Sequence, residues 1–209
     1  MRRLPLFPLA LGLTALLALA GCRRSDAATA GHVAGDSGPR PARIDSILPP
    51  AEALRRFQAS IADTPAALRG GESSLPALGA AFARAVERRD TAALRALVVN
   101  RGEYAFLLYP GSDVSHRPRY QPPEIAWLRL QLASEKGVGR LVERLGGRPL
   151  GYVGLTCPDS AVVAAGPVRL HPGCRVRRLV GRDTVAQRLF GTVLERDGRF
   201  KLLTYANDF

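Results

Sequence analysis

Leu189-Phe190-Gly191-Thr192-Val193-Leu194-Glu195-Arg196-Asp197-Gly198-Arg199-Phe200-Lys201-Leu202-Leu203-Thr204-Tyr205 decides the fold class. Two apolar runs flank the pair Asp197-Gly198. A type I′ turn needs positive φ at both central residues, and its twist matches that of the strands it joins. The segment therefore reads as an antiparallel hairpin, with runs over Thr184–Arg196 and Arg199–Ala206. Upstream, Leu150–Cys157, Ala161–Leu170 and Arg175–Val180 are further β-rich runs, the first two separated by Pro158-Asp159. Before Leu150 the apolar period becomes helical. Ala51–Ala62 carries Leu54, Phe57 and Ile61 at helical spacing, and Thr64–Gly71 breaks the pattern. Ser73 and Ser74 offer N-caps, with Pro76 tolerated in the first turn of a helix whose stripe is Leu75, Leu78, Phe82, Ala85 and Val86. Asp90 can cap another turn or two carrying Leu94, Leu97 and Val98. Glu103–Tyr109 reads as a strand or a buried helical turn, and Pro110–Pro123 as an irregular loop. Pro122-Pro123-Glu124 opens a helix to about Leu145, with Ile125, Leu128 and Leu132 inward. Gly137 and Gly139 suggest a bend or break within it, and Gly146-Gly147 ends it. Helices first and antiparallel strands later define an α+β fold. Its N-terminal helices would pack on a curved antiparallel sheet formed mainly by the C-terminal third.

At the other end of the chain, Arg2 and Arg3 precede an apolar run from Leu4 to Ala20, which closes on Leu19-Ala20-Gly21-Cys22. Small residues before a cysteine fit a processing enzyme's narrow site, and the thiol accepts lipid. The pattern resembles the lipobox of bacterial lipoprotein precursors. That resemblance implies a signal peptide over residues 1–21, a lipidated Cys22 and membrane attachment through it. The location implied is the cell envelope, facing the periplasm or the exterior. Arg23 stands where inner-membrane retention uses Asp, which tilts the reading to the outer membrane of a two-membrane source. Residues 22–49 read as the lipidated cysteine and a flexible tether rich in Ala, Gly, Ser, Asp and Pro, and residues 50–209 as one α+β domain. No later run is apolar enough to span a bilayer.

Assigning Cys22 to lipid leaves Cys157 and Cys174. In an oxidising compartment this pair is expected to form a disulfide. Two buried thiols or a metal pair are the alternatives, and the absence of CxxC or HxxH spacing weakens the metal reading. No metal and no cofactor are expected. The formal charge is +12, and Lys136 and Lys201 are the only lysines, so the positive charge is almost all arginine. Arginine suits phosphate and carboxylate recognition, hence anionic headgroups or polymers. Joint enrichment of Arg, Ala, Gly and Pro also follows from a GC-rich coding sequence, and this simpler reading is preferred. Export and tethering argue against nucleic acid.

Phe82-Ala83-Arg84-Ala85, Arg89-Asp90-Thr91 with Leu94 and Leu97, and the closing hairpin Leu189–Glu195 with Phe200–Tyr205 resemble the NTF2-like superfamily, the cystatin-like α+β cone. The resemblance spans residues 73–207. It implies a curved sheet around helices with a conical pocket, in a superfamily that holds both enzymes and binding modules, so it does not fix a function.

Candidate chemistry is sparse. His116 lies near Asp113, where Asp could orient the imidazole as a base, though the spacing equally fits a capped turn. A disulfide between Cys157 and Cys174 would bring Asp159 and His171 into one neighbourhood, with a stapled surface turn as the simpler reading. His32 belongs to the tether. There is no GxSxG, P-loop, GxGxxG or HExxH. Glu103, Glu124, Glu135 and Glu143 read as solvated or salt-bridged. Tyr109, Tyr120 and Trp127, with Arg117 and Arg119, cluster around the long loop and are the candidate ligand site for a glycan, a peptide or an anion. Core packing is the competing reading for Phe106 and Trp127. The expectation is a non-catalytic domain binding a ligand or envelope partner. The alternatives are a small pocket enzyme using a His-Asp pair, and a structural envelope protein holding anionic lipid or polymer through arginine.

Overall fold

The computed structural model describes residues 48–209, and this part of the chain belongs to one compact unit. The signal segment, Cys22, His32 and the tether up to residue 47 lie outside the described residues. Helices α1 (Pro50–Ala59), α2 (Leu75–Glu87), α3 (Thr91–Ala96) and α4 (Arg101–Glu103) come first. Local chemistry sets their starts. The Ser74 side chain accepts from Ala77 N, Asp90 from Ala93 N and Asn100 from Glu103 N. Glu103–Tyr109, open between strand and helix in the sequence, is helical. A π turn over Tyr104–Leu108 follows α4, and 3-10 turns at Tyr109–Gly111 and Asp113–Ser115 carry the chain into the proline-rich loop.

Helix α5 (Pro123–Leu145) is continuous through Gly137 and Gly139. Gly137 is a packing residue and not a break. A Cβ there would collide with the Tyr205 carbonyl oxygen, so only glycine lets α5 approach the backbone after the last strand. The expected inward face is reversed in its first half. Ile125, Leu128 and Leu132 are exposed, and Ala126, Gly137, Leu141 and Leu145 are buried. Leucine and alanine both fit a helical stripe, and the close approach to the chain beneath selects the small residues.

The expected single curved sheet is two antiparallel sheets. One has the order β1-β4-β5, from Tyr152–Thr156, Arg175–Val180 and Asp183–Gln187. The other has the order β2-β3-β6-β7, from Val163–Ala165, Val168–His171, Val193–Arg196 and Arg199–Leu202. Turns split two of the apolar runs. Ala161–Leu170 folds into β2 and β3 around Gly166, and Thr184–Arg196 divides between the sheets as β5 and β6. The closing hairpin forms as read. Arg196 pairs with Arg199, and Asp197 and Gly198 take φ of 50° and 70°. Overall the fold is α+β.

The paired centre of β6 and β7 in the four-stranded sheet is covered on both faces. Paired Val193 and Leu202 belong to a core with α2, α3 and the end of α5. Leu194, opposite Lys201, belongs to a second core with Phe57 of α1, the π turn and Ala126 of α5. The outer edge of β7 is also covered, by backbone bonds from Glu72 and from Leu97–Val99. The three-stranded sheet packs through Leu155 and Val176 towards α2, and its other face is open. Cys157 and Cys174 are joined by a disulfide where the chain passes between the sheets.

Candidate functional site

An open groove of about 690 Å³ lies between α5 and the segment from α3 to α4. Trp127, Leu130 and Val138 of α5 form one wall, Val98 and Val99 the other, and Leu203 and Tyr205 beyond β7 complete the apolar lining. Polar groups are confined to Arg95, Asn100 and Arg101 on one side and Gln131, Ser134 and Glu135 on the other. Most of these are already engaged. Asn100 caps α4, Ser134 Oγ accepts from Tyr205 N at 3.3 Å, and Gln131 donates to Glu135 at 3.0 Å. Arg101 donates to Ser60 Oγ and lies over the Phe57 ring at 4.9 Å. Trp127 packs on Tyr104, with ring centroids 5.4 Å apart, so it is both core and lining.

A buried ion pair adjoins Asn100 of the groove. Lys201 Nζ lies 2.8 and 3.0 Å from the two carboxylate oxygens of Glu103, and both side chains are almost fully buried. Glu103 also accepts from Arg69 N at 2.7 Å and Asn100 N at 2.9 Å, and Lys201 donates to the Arg69 carbonyl at 3.1 Å. Such a pair repays the desolvation of two charges only when hydrogen bonds fill the remaining positions, as here. It clamps α4, the chain around Arg69 and β7 together. The sequence reading left Glu103 among scattered carboxylates. Asn100-x-x-Glu103 is a capping-box spacing, and Lys201 is one of two lysines in an arginine-rich chain; together they were the legible signal.

Of the candidate ligand residues, Trp127 alone lines the groove. Tyr109 is buried, and its hydroxyl donates to the Gln121 carbonyl at 2.7 Å. Burial first, and the neighbouring Tyr120, push its pKa up to about 12. Tyr120 is half-buried beside it. Arg117 and Arg119 are exposed, and Arg119 pairs with Asp113 at 2.7 Å.

That same contact alters the His116-Asp113 reading. The Asp113 carboxylate binds Arg119, and His116 is exposed on the loop. His171 has a partner other than Asp159. His171 Nε2 is 2.7 Å from Glu195 Oε2, a contact made across β3 and β6, and Asp159 sits exposed on a 3-10 turn. Strand pairing is denser and closer than a shared disulfide loop, so the carboxylate supplied by β6 reaches the ring first. A His-carboxylate pair orients an imidazole, yet neither residue lines the groove. Among the described residues no three His, Cys, Asp or Glu side chains gather as a metal set.

Compared with family models, curated protein sequences and solved structures, the chain matches none. The likeness to NTF2-like domains therefore rests on the sequence phrases alone.

Proposed function

We propose that this chain is a lipid-anchored cell-envelope protein whose domain binds an apolar ligand or partner segment without transforming it. One observation carries the binding reading: a 690 Å³ groove with an apolar floor, whose polar groups are largely spent on holding the fold. Largely apolar concavities with a few fixed polar groups are the usual form of ligand sites. The lipobox supports the anchor, and the tether would hold the domain near the bilayer.

Trp127 reports on the groove directly. Titration with an anionic naphthalene probe should change its fluorescence saturably. Gly139→Phe should abolish that response, because position 139 has open space around its Cβ and the ring would enter the groove without disturbing the core. An unchanged response in the folded variant would place binding elsewhere. Intact mass of protein from the membrane fraction tests the anchor separately. A lipid-sized gain at Cys22 supports it, and a chain that keeps residues 1–21 removes it.

A further inference from the structure

The open face of the three-stranded sheet is chemically unlike the groove. Arg175, Arg177 and Leu179 alternate on β4, so they share one face, and all three are exposed. Val153, in the irregularity where β1 pairs with β4, is 45% exposed. Leu179 is 50% and Val180 45% exposed at the end of β4, where the chain turns through Gly181 and Arg182 into β5. The strands β1, β4 and β5 hold three arginines against one carboxylate, Asp183. Among the described residues no carboxylate lies within ion-pair distance of Arg175, Arg177 or Arg182.

We infer that this face is a docking surface for an anionic lipid bilayer, with Leu179 and Val153 entering the headgroup region and Arg175 and Arg177, with Arg182 of the following turn, contacting phosphates. Charge complementarity selects an anionic partner, because basic residues at a bilayer surface are attracted by acidic headgroups. The aliphatic side chains select lipid over a soluble polyanion. A polyanion leaves Leu179 and Val153 in water, whereas the interface buries them. The site is separate from the groove and stands whether or not the groove binds ligand.

The test uses the full chain with Leu179→Trp, read as emission beyond that of Trp127. Vesicles of equal parts phosphatidylcholine and phosphatidylglycerol should shift the added emission to the blue, and brominated acyl chains should quench it. Pure phosphatidylcholine vesicles and soluble polyphosphate should do neither. Arg175→Gln with Arg177→Gln should weaken the response about thirtyfold, from roughly 1 kcal/mol per basic residue near the surface. Val153→Trp gives a second reporter on the same face if the first variant fails to fold. Unchanged emission from a folded reporter on acidic vesicles overturns the proposal, even if the chain sediments with them. An equal response to polyphosphate overturns it in favour of a polymer site.

Discussion

The two sheets treat cations in opposite ways. In the four-stranded sheet, Lys201 on β7 points with Leu194 into the second core and meets Glu103 there. In the three-stranded sheet, Arg175 and Arg177 on β4 point away from the core, and among the described residues neither meets a carboxylate within ion-pair distance. Both strands place apolar and basic side chains in alternation or adjacency. What differs is the number of covered faces. A strand covered on both faces must bury whatever it carries, and a buried charge needs a partner. A strand covered on one face can leave its cations in water.

This contrast gives a ranking of effects on stability. Lys201→Met leaves the Glu103 carboxylate buried without its counter-ion and should cost about 3–5 kcal/mol in urea unfolding. A loss below about 1 kcal/mol would mean that the backbone donors alone satisfy Glu103 and that the two sheets differ less than proposed. Next comes the disulfide between the sheets. Replacing Cys157 and Cys174 by serine frees a loop with a sequence separation of 17 and should cost about 3 kcal/mol, read as a lowered unfolding midpoint.

Gly137→Ala probes the cover over the chain that leaves β7. The added methyl meets the Tyr205 backbone, so about 1–3 kcal/mol should be lost, whereas Gly139→Ala in the same helix should be neutral or gain up to about 1 kcal/mol. Thermal melts of the two variants separate packing from helix propensity. Smallest is the exposed sheet. Arg175→Gln and Arg177→Gln should each change stability by less than about 0.5 kcal/mol. A larger loss would show that these arginines hold the fold and are not spare for a partner.

Much of the fold was legible where a local rule operates. The Asp197-Gly198 turn, the caps at Ser74 and Asp90, the extent of α5 and the Cys157-Cys174 bond follow from spacing and backbone chemistry. Less of the candidate site was legible. Trp127 was found because it is a large aromatic beside a long loop, but Tyr109 shares that signal and is buried with its hydroxyl spent on Gln121. Val98, Val138 and Leu203 carry no sequence mark that separates a groove wall from a core. His171 illustrates the same limit. Its partner Glu195 is 24 residues away and becomes its neighbour only through strand pairing.

By itself the sequence determined where α1, α2, α3 and α5 begin and where the closing hairpin turns, because caps, prolines, glycines and apolar periods act within a few residues. It also set the excess of arginine that some surface must carry. The tertiary structure alone decided that the strands divide into two sheets, that Ile125, Leu128 and Leu132 face outward and that Lys201 lies inside. Those outcomes depend on which element covers which face. Coverage is a property of distant segments packing together, such as α5 against Tyr205, and no local pattern encodes it.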